Sequence, residues 1–323
     1  MRLLGVAIFL AALAVPFVFG GNLYVMGLLV SSLILAGVAL AWALLGNLGG
    51  MISFGHAAFF GVGAYTSALL AAKLGMPVLL SIPLGGLGAA LCSLVMMPTL
   101  RLSGPYFALA ILAYAQIFRI LVTEMSGITG GSAGLSSIPA LPTVFGIDLS
   151  SRSGSYIVLT LLVGACAAVY AAIRRSHVGT ALRAMDESED ATRVVGVNSV
   201  LLKAWMLILS AFITGLFGAM NAHIINFLEP DYAFSGTWSV LPIVAGIFGG
   251  YRTILGPIVG AVLIYLFDQV IAKSLISVGH QILLGSLLAA IVLIAPNGLL
   301  PLLGRLRGDR HAQALRGGRH AQA

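Results

Sequence analysis

Ten apolar runs follow one another along this chain, at residues 4–20, 23–45, 51–72, 77–97, 104–123, 154–173, 204–222, 236–250, 254–272 and 278–296. Most approach the roughly 20 residues that a helix needs to cross the hydrocarbon core of a bilayer. With 59% of its residues hydrophobic and 8% charged, the chain has too little charge to cover a water-facing surface, since a soluble domain carries roughly 25%. A β-barrel would show segments of about ten residues with alternating polarity, whereas these runs are continuous. Forty glycines suit helices that pack closely in lipid. The expectation is an all-α polytopic membrane protein of eight to ten transmembrane helices, about ten by this count, with both termini cytoplasmic. The run at 236–250 is short and glycine-rich and is compatible with a span or a re-entrant segment. The first run follows Met1 and Arg2 as a signal peptide would, but no A-x-A site follows it, which favours an anchor.

Loop charges test the count. With the N-terminus inside and ten alternating spans, the cytoplasmic side holds Arg2, Arg101, Arg174, Arg175, Arg183, Arg193, Lys203, Arg252, Arg305, Arg307, Arg310, Arg316 and Arg319, 13 of 17 basic residues. The other side holds Lys73, Arg152 and Lys273, and Arg119 lies within a span. Cytoplasmic loops of membrane proteins are enriched in Lys and Arg, so orientation accounts for the net charge of +7 without nucleic acid. Residues 1–303 form a transmembrane domain with an external loop at 124–153 and a charged cytoplasmic loop at 174–203; residues 304–323 form a flexible basic tail. That tail repeats RHAQA at 310–314 and 319–323, which suits anionic lipid better than metal binding by His311 and His320. Cys92 and Cys166 lie inside apolar runs and read as core residues.

Nine of the 27 charged residues fall between 174 and 203. Thr180 can serve as N-cap, strong helix formers run from Ala181 to Val195, and Gly196 stands where a left-handed glycine ends a helix. Leu182, Met185, Ala191 or Thr192, and Val195 recur at helical spacing. Arg183 with Glu187 and Glu189 with Arg193 are opposite charges at i,i+4, while Asp186 and Asp190 are like charges. Helices that lie on lipid favour Lys and Arg on the polar face, but this one carries four acids and two arginines between 181 and 195. Anionic lipid would repel it, and a protein partner suits it better.

This segment resembles the coupling loop of bacterial ABC importer permeases. That loop reads Glu-Ala-Ala, three residues, then Gly, and falls here on Asp190-Ala191-Thr192 and Gly196. GGMISFGHAAFFGVGAYTSALL (49–70), RLSGPYFALAILAYAQIFRILV (101–122), TGGSAGL (129–135), GTALRAMDESEDATRVVGVN (179–198) and APNGLL (295–300) resemble the branched-chain amino acid permease subunits of those importers, above all the second of their two paired permeases. The similarity runs from about residue 25 to 300. It implies a multi-pass subunit of a bacterial inner membrane, a homologous second permease, two cytoplasmic ATPases and a periplasmic substrate-binding protein. The cargo it implies is branched-chain or related hydrophobic amino acids. It also implies that Thr180, Arg183, Met185, Asp186, Glu187, Glu189, Asp190, Ala191, Arg193 and Gly196 belong to an ATPase-coupling helix. No cofactor is expected on this chain, since ATP would sit on the partners, and no G-x-x-x-x-G-K-[ST] loop occurs.

Six residues are candidates for the translocation pathway or for close helix packing: Ser53, Gly55, His56, Gly61, Gly63 and Tyr106. The dense glycines from 46 to 63 are compatible with a phosphate loop, but no neighbouring Lys-Ser/Thr supports that, and helix packing is preferred. For His56, a neutral histidine hydrogen-bonded within the bundle is preferred over a functional one, although an ionisable group at membrane depth is a candidate by default. Arg119 and Glu124 are five apart, poorly spaced for a helical pair, and Arg119 can snorkel. Asp268, five before Lys273, reads as a structural contact. No relay of acids or histidines runs through the spans, which argues for an external energy source. The alternative is a secondary transporter or channel for small polar solutes; an enzyme has no supporting motif.

Overall fold

The computed structural model describes residues 2–275 except Ser103 and Phe145, and isolated positions between 279 and 298. The expected span at 278–296, the APNGLL stretch and the basic tail therefore lie outside the described residues or rest on scattered positions. In chain order the helices are α1 (Arg2–Phe19), α2 (Leu23–Gly49), α3 (His56–Leu74), α4 (Val78–Val95), α5 (Pro105–Glu124), α6 (Ser126–Thr129), α7 (Arg152–Arg175), α8 (His177–Glu187), α9 (Glu189–Val194), α10 (Ser199–Ile225), α11 (Pro230–Ala233), α12 (Thr237–Gly249), α13 (Leu255–Leu266) and α14 (Lys273–Leu275). Between α13 and α14 the helix continues as a π-helical turn, Phe267–Ala272. Two-residue strands β1 (Thr143–Val144) and β2 (Ile147–Asp148) pair in the external loop. Eight segments are long and apolar enough to cross a membrane, among them Pro230–Gly249, which joins α11 to α12. A shorter apolar helix, Phe9–Phe19, lies at the start.

Lipid supplies no partner for backbone amides, so helix ends inside such a protein must be capped from within. Asn22 caps α2 by accepting from the amides of Tyr24 (3.2 Å) and Val25 (3.1 Å), and Gly50 ends it in the left-handed conformation, φ +64°. α2 is the central helix: its side chains are almost continuously buried from Ser32 to Leu45, against α7, α10, α12 and α13. α3, α4 and α10 form a second tight group beside it. There Gly63 meets the backbone of Gly215, which in turn approaches Gly85 and Ala89. A Cβ at Gly63 or Gly215 would overlap these atoms, so the three helices close only because both positions lack one.

Two chain segments depart from continuous helix inside the bundle. Residues 50–55 between α2 and α3 are not helical, so α3 begins at His56 rather than at 51 as the apolar run suggested. The indole Nε1 of Trp42 donates to the Ser53 carbonyl at 3.1 Å, one turn and more back from the inner end of α2. The segment therefore climbs back beside α2 before α3 starts. α12 is likewise short, 13 residues, or about 19 Å. The start of α12 lies beside the start of α3: the Ala57 amide donates to Ser239 Oγ at 3.1 Å, and the rings of Phe60 and Trp238 stack at 3.9 Å.

The loop between α5 and α7 is held down rather than free. Leu135 and Leu228 exchange backbone hydrogen bonds of 2.8 and 3.0 Å, and Ile138 and Leu141 are buried.

Candidate functional site

The charged segment is two helices rather than one. Ser176, not Thr180, caps the first: its side chain accepts from the Gly179 amide, and α8 starts at His177. The helix stops at Glu187 because Ser188 is extended, φ −158° and ψ 105°, and its Oγ caps α9 by accepting from the Ala191 amide at 3.3 Å. A serine at this position, followed by Glu189 and Asp190 in the first turn, favours a new helix start through both cap and dipole. Gly196 takes φ +88°, as the sequence suggested. Its amide donates to Arg193 O (3.0 Å) and that of Val197 to Thr192 O (3.3 Å), a double-bonded left-handed ending.

Two further expectations for this segment are corrected. Arg183 does not reach Glu187; its Nε donates to Gly179 O within α8 at 3.1 Å and its Nη2 to Arg174 O at 3.4 Å, a carbonyl in the last turn of α7 that lacks a helical donor. Val195 is not part of the buried face. Leu182, Met185 and Thr192 are buried, while Val194 and Val195 are 87% and 77% exposed, because the break at Ser188 turns α9 away from the axis of α8.

The acids divide into two groups. Glu189 is engaged internally: Lys203 Nζ lies 2.6 Å from Oε2 and Arg193 Nη2 2.7 Å from Oε1, while Arg193 Nε donates to Ser199 Oγ at 2.8 Å. This clamp fixes α9 to the foot of α10. The hydrogen bond from Lys203 holds the Glu189 carboxyl below the usual carboxylate range. Asp186, Glu187 and Asp190 are exposed. Asp186 Oδ1 lies over Gly50, at the turn that joins α2 to the 50–55 segment. α8 thus rests on α2 and α7, and α9 is attached to α10. Thr180, Arg183, Ala191 and Arg193 lie on the exposed side with them, and Met185 lies underneath.

In the bundle, Ser53, Gly55 and His56 come together at the start of α3. His56 is buried, with Nε2 3.0 Å from Ser210 Oγ, which donates to Ala41 O at 2.9 Å. Ser53 Oγ accepts from the Gly55 amide at 3.2 Å. Gly55 packs on Ile111 of α5, Gly61 on the ring of Phe234, and Gly63 on Gly215. Tyr106 stands apart from this group, 71% exposed at the inner end of α5.

A second buried polar cluster escaped sequence reasoning. His223 Nδ1 lies 2.7 Å from Pro139 O and must donate to it, since a carbonyl only accepts. Nε2 is then the acceptor, 2.8 Å from Ser67 Oγ, with Ser81 Oγ 3.0 Å beyond. The cluster joins α3, α4 and α10 to the loop between α5 and α7. A lone histidine in an apolar run was the available signal, the one that singled out His56. Arg119 pairs with Asp231 of α11 at 2.6 Å and not with Glu124; the partner is 112 residues away and invisible to helical spacing. Gln269 Nε2 donates to Asp268 at 3.2 Å, and Lys273 donates to Gln269. Among the described residues no group of three or more His, Cys, Asp or Glu is placed to hold a metal.

Comparison with known proteins gives one family and several relatives. Residues 24–296 match the family model described as branched-chain amino acid transport system, permease component. The chain is 30% identical to the high-affinity branched-chain amino acid transport system permease protein LivM of Escherichia coli strain K12, covering 93% of this chain and 75% of that protein. To LivM of Salmonella typhimurium it is 31% identical, over 79% of this chain and 65% of that one. To BraD of Pseudomonas aeruginosa it is 25% identical, over 81% of this chain and 90% of that one. No solved structure matches the chain.

Proposed function

The chain belongs to the family of permease components of branched-chain amino acid transport systems, and from that premise we propose that it is one half of the pore of an ATP-driven importer in a bacterial inner membrane. Its other half is a homologous permease. Two ATPases bind the cytoplasmic side, and a periplasmic binding protein delivers branched-chain or related hydrophobic amino acids. The chain itself holds no nucleotide.

The observation that supports this best is the division of labour in α8 and α9. Glu189 is committed to Lys203 and Arg193, while Asp186, Glu187 and Asp190 are exposed, as are Val194 and Val195. Exposed acids and exposed valines on one short segment suit a protein groove with basic edges, and suit anionic lipid poorly. Movement of that groove would reach two places at once. Through α8 it acts on the Gly50 turn and hence on the 50–55 segment; through the Glu189 clamp it acts on α10. For this to couple hydrolysis to transport, the segment must contact the ATPase differently in its two states.

The test is co-purification from native membranes with wild-type chain and with Glu187→Lys and Asp190→Lys together. The reading expects two P-loop ATPases with the wild type, and loss of ATPase or of transport-coupled hydrolysis with the double variant. Normal uptake and normal stimulated hydrolysis in that variant would count against it.

A further inference from the structure

We propose that the face formed by Gln116 and Arg119 of α5, Asp231 of α11 and the break at 235–237 lines the aqueous path, and that the Arg119–Asp231 pair receives the carboxylate and ammonium of a zwitterionic amino acid. The inference rests on the proposed transport function and names where in this chain the cargo passes.

Depth comes first. His56 is level with Ser210, the twelfth residue of α10, and so lies about 16 Å above that helix's inner end. Ser239 is level with Ala57, and Gly55 with Ile111. Gln116 stands five residues above Ile111 on α5, about 7 Å further out. Thr237 stands within one turn of Ser239. Both belong inside the hydrocarbon zone, and both are exposed.

Chemistry decides what they face. Non-helical backbone and uncovered polar side chains occur at this depth only where they are buried in protein or border water. Where α11 gives way to α12, Ser235 Oγ donates to Thr237 Oγ1 (3.1 Å) and accepts from the Thr237 amide (3.3 Å), a local turn whose Thr237 side is exposed. α5 is the least buried of the eight spans. Its exposed side is not uniform: Gln116 sits between Leu109 and Ile120 on one helical stripe, Ile117 flanks that stripe on one side, and Arg119 flanks it on the other, where it meets Asp231 of α11. The ion pair itself is open, with side chains 39% and 79% exposed. Arg119 has a second hydrogen bond, Nε to Gln116 Oε1 at 3.2 Å, which leads one turn inward.

An amino acid zwitterion presents the same two charges as this pair, at similar separation. A guanidinium takes its carboxylate in two parallel hydrogen bonds, and Asp231 takes its ammonium. The apolar neighbours on α5 are then placed for an aliphatic side chain.

Cysteines test the path. Gln116→Cys and Thr237→Cys are compared with Leu91→Cys, which is 65% exposed on the opposite kind of surface, an apolar side of α4. Native Cys92 and Cys166 are buried. In native membranes carrying the whole complex, a charged thiol reagent should label positions 116 and 237 roughly tenfold faster than 91. Equal, slow labelling overturns the path. Labelling needs no ATP, so lipid-like labelling with intact ATP-driven uptake refutes this inference alone, and fast labelling together with uptake that does not depend on ATP refutes only the functional reading. For the pair, Arg119→Ala or Asp231→Ala should raise the half-saturating substrate concentration about tenfold, one lost charge-assisted contact. The swapped pair R119D/D231R should accumulate normally and remain impaired. Full recovery of uptake by the swap would show an ion pair that only joins two helices, and would overturn the assignment.

Discussion

Replacing Glu189 with Gln should detach α9 from α10 without unfolding the bundle. The substitution keeps shape and one hydrogen-bonding oxygen but removes the charge that faces Lys203 and Arg193 at 2.6 and 2.7 Å. The two partners contribute unequally. Arg193 is half exposed, 52%, so its pair with Glu189 adds a few tenths of a kcal/mol. Lys203 is 17% exposed and forms no other ion pair among the described residues, so its charge-assisted bond carries most of the effect. Together the loss comes to about 1–2 kcal/mol, a factor of roughly 5–30 in the population of undocked α9. The assay is hydrogen exchange of the amides from 189 to 197 in the purified complex. They should exchange faster by that factor in Glu189→Gln, while those of α8, held by buried Leu182 and Met185, should not change. Glu187→Gln, an exposed acid, should leave the whole segment as it is. Acidification should mimic the substitution. The folded carboxyl sits below its ordinary value of 4.5, so its stabilising contribution is complete above that pH and disappears as pH falls through the lowered value. Unchanged exchange at 189–197 in the variant, or equal effects at Glu187 and Glu189, would refute the clamp.

Other perturbations follow from the same packing. Gly215→Val drives two methyls into the backbone of α4 and α3 and should cost about 1–3 kcal/mol or more, read as lost accumulation or lowered thermal stability; Gly127→Ala, with nothing within 4 Å, should be silent. His223→Ala leaves Ser67 and the Pro139 carbonyl without their partner, a loss of about 1–3 kcal/mol. It should show as faster protease cleavage of the external loop near 135–141. Ser188→Ala removes the cap of a six-residue helix, about 1 kcal/mol, and should speed exchange in α9 alone.

How far this architecture is legible in the sequence depends on the solvent. Lipid rewards every apolar side chain, so the spans stand out as runs. Their ends are less visible. Residues 51–55 are as apolar as a helix start, and nothing local shows that the Trp42 indole holds Ser53 in an extended segment. α10 begins at Ser199, five residues before its apolar run, because Asn198 caps it by accepting from the Leu201 amide. The break at Ser188 carried a signal in its serine and two following acids, masked by good helix formers on both sides. Gly196 was legible because a single residue makes that ending. Pairings such as Arg119 with Asp231 or Ser67 with His223 were not, since helical periodicity assigns faces and says nothing of which distant face lies opposite.

On the proposed function, this chain conducts its cargo only when ATP hydrolysis acts on α8 and α9. Uptake of radiolabelled leucine into proteoliposomes, with this chain alone and with its co-purified partners, measures that most directly. The account predicts uptake only with the partner permease, the ATPases, ATP and the binding protein present. Uptake by this chain alone, without ATP, would contradict it.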